Sequence, residues 1–319
     1  MDNTDEVTLR FLAAPTHRGY SGNVDAGRVL EWIDKSSYAL ATMWTGGRTV
    51  TAYVGNVRFR HPVHIGDLVE VMSKLIHTGR SSLHILVTVD AIDPRTGDAT
   101  RTTSCLVVFV AIDDNGRSKE IRKWEPRSLE DARAQQSAIQ RIELRAAIEK
   151  SMAEQQYTDA GSAPRILLRF LAAPMDVNWG GNVHGGFVMR WIDEAAHVLV
   201  TSYTHTTRNV AVYTGGIRFY QPMHVGDLVE VEARLLHTGR TSMHVSVHVR
   251  SGDPRTMDLR LTTHCLVLFV SLDDDGNALE APVWVPVTAE DLALDRHAVE
   301  LAALRDTMTQ APIGDSQAQ

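Results

Sequence analysis

The chain has 319 residues, 44% hydrophobic and 22% charged, with no low-complexity tract, and at roughly 150 residues per domain it is long enough for two. Its formal charge of −7 excludes a general nucleic-acid binder, because phosphate contacts require a concentrated basic surface. No apolar run reaches the roughly 20 residues that span a bilayer, and the acidic start Met-Asp-Asn-Thr-Asp-Glu lacks the order of a signal peptide. Cys105 and Cys265 lie inside apolar runs and read as small buried hydrophobes, so a reduced, cytoplasmic setting is expected.

In chain order the first finding is self-similarity. Arg10-Phe11-Leu12-Ala13-Ala14-Pro15 recurs as Arg169-Phe170-Leu171-Ala172-Ala173-Pro174, an offset of 159 (170 − 11). Gly22-Asn23-Val24 and Trp32-Ile33-Asp34 recur in the same register as Gly181-Asn182-Val183 and Trp191-Ile192-Asp193. Gly66-Asp67-Leu68-Val69-Glu70-Val71 recurs as Gly226-Asp227-Leu228-Val229-Glu230-Val231, now 160 apart (226 − 66). One residue was therefore gained or lost between the two blocks. A period this long means a duplicated domain.

Between the copies, residues 129–156 are rich in Ala, Glu, Gln and Arg, free of Gly and Pro, and predict a helix. Residues 159–164 break it as a linker. Within the second copy a strand over 165–171 leads into a Gly-rich loop, 178–186, and then a helix over 186–203, with Val188, Trp191, Ile192, Ala195, Ala196 and Leu199 on one apolar face. Strands follow over 209–214 with 217–220, 228–237, 243–250 and 259–272. Met243, Val245, Val247 and Val249 alternate with Ser and His as in a half-buried strand. A second helix over 289–308 closes the chain, and residues from Ala311 onward read as a frayed tail. A helix followed by antiparallel strands predicts an α+β fold with the sheet wrapped on the helix.

The loop Asp176-Val177-Asn178-Trp179-Gly180-Gly181-Asn182-Val183-His184-Gly185-Gly186 ends where the helix starts. Free N–H groups and the positive dipole end there can hold a carbonyl oxygen that becomes negative in acyl transfer. A tight turn capped by Asn182 explains the same residues. Asp193, seven residues past Gly186, and its counterpart Asp34 flank the apolar stripe. There a carboxylate is either a base or nucleophile or a solvated helix residue. No Cys-x-x-Cys, His-Glu-x-x-His, Gly-x-Ser-x-Gly or Walker pattern occurs, so neither a metal nor a cofactor is expected.

Leu-Arg-Phe-Leu-Ala-Ala-Pro, then Asp-x-Asn-x-x-Gly-Asn-Val-His-Gly-Gly, then Ile-Asp-Glu-Ala-Ala, with the Gly-Asp-Leu-Val-Glu and Thr-Gly-Arg blocks, resemble the hotdog acyl-CoA thioesterases, over roughly residues 8–125 and 166–286. The resemblance implies two tandem hotdog domains, 1–126 and 165–287, with a helical segment 127–164 and a C-terminal helix and tail 288–319. It also implies that each active site takes an asparagine from one domain's loop and an acid from the other's helix. Carried over, Asn178, His184, Gly185 and Gly186 join Asp34 in one working site, where Gly186 N–H would polarise the thioester carbonyl. The reciprocal site, with Asp193 and Gly27, is degenerate, because Gly19 stands where the asparagine should and Asp25-Ala26 where His184-Gly185 stand. Arg80 and Arg240, with Ser82 and Ser242 in the same turns, are candidate contacts for CoA phosphates. The implied activity is hydrolysis of acyl-CoA, in a homo-oligomer of such chains as in a trimer. The alternatives are an acyl-CoA-sensing module and a hotdog hydratase, whose Asp and His would be Asp176 and His184 beside Asn178.

Overall fold

The computed structural model describes residues 4–178 and 181–309; Trp179, Gly180 and the tail from Ala311 lie outside them. The first half contains β1 (Glu6–Leu12), helix α1 (Ala26–Thr45), β2 (Thr49–Val54), β3 (Val57–Arg58), β4 (Leu68–Thr78), β5 (Ser82–Ile92) and β6 (Ala99–Ala111). Helix α2 (Leu129–Ala153) follows. The second half repeats the order as β7 (Arg165–Leu171), helix α3 (Gly185–Thr204), β8 (Asn209–Phe219), β9 (Leu228–Thr238), β10 (Ser242–Gly252) and β11 (Arg260–Ser271), and helix α4 (Ala289–Thr309) ends it. The pair expected as two short strands, 209–214 and 217–220, is one continuous β8.

All strands join one antiparallel sheet in the order β1-β4-β5-β6-β2-β8-β11-β10-β9-β7, with β3 added to β8. The halves meet at its centre, where Tyr53 and Val54 pair with Arg218 and Ile217. The exposed edges that a single copy would leave are thereby merged inside one sheet. On one face lie α1 and α3, whose apolar stripes and the facing strand residues, including Cys105 and Cys265, form the main core. Both cysteines are buried, and neither is in a disulfide among the described residues.

The two helices are antiparallel neighbours. The start of α3 at Gly186 meets Glu31 of α1, while the start of α1 at Gly27 meets Arg190 and Asp193 of α3. A Cβ on Gly186 would lie 2.9 Å from the Glu31 Cα, and one on Gly27 would lie 3.0 Å from the Arg190 Cα. Glycine at both helix starts is what permits so close an approach. Positions 31 and 190 are equivalent in the repeat, and they face each other across its pseudo-twofold axis. Glu31 is buried there and holds Arg28 at 2.7 Å, Lys35 at 2.6 Å and Arg190 at 3.5 Å.

The other sheet face differs from the half-buried expectation. α2 and α4 cover it, so β10 is buried on both sides. His248 stacks on His264 at 3.9 Å with Tyr157 edge-on, and Leu236 and Leu266 pack against α4 residues Leu294 and Leu301. α2 and α4 start alike: Ser128 accepts from the Asp131 N–H and Thr288 from the Asp291 N–H, each supplying one of the helix start's missing acceptors. Arg234 clamps the second helix to β9 through Glu290 at 2.7 Å.

Candidate active site

Asp34 leaves α1 on the side facing α3 and is 1% exposed. Its Oδ2 accepts the Gly186 N–H at 2.8 Å and lies 2.8 Å from His184 Nδ1, while Oδ1 accepts the Thr51 hydroxyl at 2.8 Å. A buried carboxylate needs such donors to remain charged. Gly186 N also lies 3.1 Å from His184 Nδ1, but a ring nitrogen that donates to Asp34 has no lone pair left to accept. The shorter contact therefore takes the amide, and His184 Nδ1 carries the proton. Burial opposes charge on His184, yet the attraction of Asp34 and the hydrogen bond to it outweigh that and raise its pKa.

Two expectations change here. The N-cap position of α3 is His184, not Asn182, and Asp34 rather than either side chain accepts the Gly186 N–H. The Gly186 N–H, expected to polarise a carbonyl, is engaged by Asp34, and the missing Gly186 side chain makes room for α1 rather than for a ligand. The residue of this pair that faces open space is Gly185. It lines a cavity of about 610 Å³ together with Asn178, Thr51, Val50, Val188 and Phe219, and its N–H has no acceptor among the described residues. A Cβ at Gly185 would lie 2.9 Å from Thr51 Oγ1 and 3.1 Å from Asp34 Oδ2. Only glycine therefore leaves the cavity in reach of the carboxylate. Asn178 organises the loop, its Oδ1 accepting the Asn182 N–H at 3.2 Å.

Thr51 is the residue that sequence reasoning missed. A signal was available: the equivalent position in the second copy, in the 160-residue register of the neighbouring Arg48 and Arg208, is Ala211.

The reciprocal arrangement keeps the skeleton and loses the donors. The Gly27 N–H donates to Asp193 Oδ2 at 2.9 Å, but Asp25 stands in place of His184 and Ala211 in place of Thr51. A Cβ on Gly19 would fall 1.7 Å from Asp25 Oδ1, so Asp25 occupies the space an asparagine at 19 would need. Burial pushes Asp193 up to about 7, the nearby Asp25 and Glu194 adding to it against the Gly27 hydrogen bond. Burial also pushes Asp25 up to about 6 despite Arg190 and Arg28.

Arg80, Arg240, Ser82 and Ser242 sit elsewhere. The two arginines are exposed at the β4–β5 and β9–β10 turns and line neither this cavity nor its counterpart. Ser82 and Ser242 pack inside the turns, 3.5 Å from His84 and 3.4 Å from His244. The basic groups at the mouth of the 610 Å³ cavity are instead Arg48 and His224. Asp176 is also committed: its carboxylate accepts the Ala173 N–H at 3.0 Å rather than meeting the His184 ring, which weakens the hydratase alternative.

Two segments, residues 21–97 and 180–257, match the model of the thioesterase superfamily. An uncharacterised acyl-CoA thioester hydrolase of Haemophilus influenzae is 34% identical over 132 residues, covering 40% of this chain and 85% of that protein. The human cytosolic acyl coenzyme A thioester hydrolase is 23% identical over 305 residues, covering 89% of this chain and 79% of its own length. A solved structure from Lactobacillus plantarum, provisionally named an oleoyl thioesterase, superposes with a TM-score of 0.58 at 11% identity, over 86% of this chain and 99% of that one. That last likeness is one of fold. Among the described residues no helix is long and apolar enough to cross a membrane. With both halves matched and the fold repeated twice in one sheet, this chain belongs to the thioesterase superfamily and is a tandem hotdog protein.

Proposed function

We propose that this protein hydrolyses acyl-CoA to a carboxylic acid and CoA at one site shared by its halves (1–126 and 165–287). The observation that carries this is the grip of Asp34 by Thr51 of its own half and by His184 and Gly186, where the other half's loop meets its helix. The thioester carbonyl oxygen points at the Gly185 N–H, which stabilises it as negative charge develops. Water lies between Asn178 and Thr51. Its oxygen bonds to the carbonyl carbon while its proton passes through the Thr51 hydroxyl to Asp34. The C–S bond then breaks, and the proton follows to the departing thiolate. Burial of Asp34 behind Gly185 and Thr51 supports the role of base over that of direct nucleophile. Arg48 and His224 at the cavity mouth replace Arg80 and Arg240 as the groups offered to CoA phosphates. A cytoplasmic setting and an oligomer of such chains, three by the resemblance, belong to the same reading.

Thiol release from a panel of acyl-CoAs, short to long, tests it with Asp34→Ala and Asp193→Ala alongside. Release lost with Asp34→Ala and kept within a few-fold with Asp193→Ala is expected. Equal losses would overturn the single site, and no release from any acyl-CoA would overturn the activity.

A further inference from the structure

The degenerate half has lost reactive groups but not its cavity. About 370 Å³ of open space lies at the position related by the repeat, between the start of α1, β8 and the segment after β3. Its walls repeat those of the first cavity. Val29, Phe59 and Val210 stand where Val188, Phe219 and Val50 line the other. Every change noted above concerns a polar donor or the space beside it: Gly19 for Asn178, Asp25 for His184, Ala26 for Gly185 and Ala211 for Thr51. Drift alone would be expected to fill or collapse an apolar cavity as readily as it removes a hydroxyl, since open apolar space costs packing energy. Here the surface that would hold an acyl chain is retained.

From this we infer that the degenerate half is a second acyl-CoA site, one that holds the thioester without cleaving it; the inference rests on the acyl-CoA thioesterase reading. The chain enters between Val29, Phe59 and Val210, with Arg60 and His61 at the rim for the anionic headgroup. The carbonyl then meets the Ala26 methyl and the Asp25 side chain rather than a glycine amide and a histidine. Ground-state binding survives, while stabilisation of an oxyanion does not.

The test is calorimetric titration of the full-length protein with a hexyl thioether of CoA, which cannot be hydrolysed. Two equivalents per chain are expected. Val210→Trp, filling the degenerate cavity, should leave one, and so should Val50→Trp in the other cavity. Ala26→Phe provides a second way to block the degenerate cavity should Val210→Trp melt early. One equivalent in the unaltered protein, lost with Val50→Trp and untouched by Val210→Trp and Ala26→Phe, would overturn the second site and leave the thioesterase reading standing. No binding at all would overturn both.

Discussion

Replacing Asp193 with asparagine should stabilise the protein above neutral pH and do nothing for it in acid. Asp193 is 8% exposed, and burial raises its pKa from the ordinary 3.8 to about 7, with Asp25 and Glu194 contributing. The direction is opposite to that of a salt-bridged aspartate. The folded state binds the proton more tightly than the unfolded chain, so ionisation costs stability. That cost is absent below pH 3.8, grows as pH rises toward about 7, and is complete above it. The distance between these values, at roughly 1.4 kcal/mol per pH unit, sets a ceiling of about 4 kcal/mol. Asparagine is the neutral shape of the same group, and its amide oxygen still accepts the Gly27 N–H now held at 2.9 Å. In thermal melts from pH 4 to pH 9, the variant's advantage should be near zero at the acid end and reach several degrees above pH 7, at roughly 2–4 °C per kcal/mol for chains of this order. A difference in Tm that stays constant across that range would refute the reasoning.

Two further outcomes follow from the site. Thr51→Ala removes a hydroxyl hydrogen bond to a charged acceptor, worth roughly 1.5–3 kcal/mol, so kcat/KM for thiol release should fall about 10- to 100-fold with the fold intact by circular dichroism; a loss under twofold would remove Thr51 from the mechanism. His184 has a raised pKa, so the stability it adds is fully present below 6.5 and is lost as pH rises through the raised value. His184→Gln should therefore cost more stability at pH 6 than at pH 9, and a cost that grows with pH would contradict the Asp34–His184 pair.

Much of the architecture was legible because duplication supplies an internal comparison. Two copies of Trp-Ile-Asp and of Gly-Asp-Leu-Val-Glu in register fix the element order twice, and the apolar stripe from Val188 to Leu199 marks α3 unambiguously. The cover on the outer sheet face was not legible. α2 and α4 touch it through scattered residues such as Ala138, Ile148 and Leu294 rather than through a periodic stripe. In the site, the glycines before the helix and Asp34 on it could be marked from the residues, while Asn178 and His184 were named only through the resemblance. Which amide faces the cavity was not legible, because that depends on how closely α1 approaches Gly186. Thr51 escaped because a strand residue shows its role only when the sheet delivers it to a helix of the same half and a loop of the other. Where Arg80 and Arg240 lie was not legible, because a Gly-Arg-Ser or Gly-Arg-Thr turn carries no information about its distance from the Gly-rich loop.

The contact between Glu31 and Arg190 has a meaning beyond its modest ion-pair energy. In an association of two identical units, a residue on the symmetry axis must face its own copy, so a glutamate there meets a glutamate and an arginine an arginine. Once the two units are encoded in one chain, the two sides of the axis are free to diverge, and here they have taken opposite signs. Each half thereby presents the other with the opposite charge at this position. Two first halves brought together in the same way would set Glu31 against Glu31, each with its own Arg28 and Lys35, and would lack the cross-axis partner that Arg190 supplies.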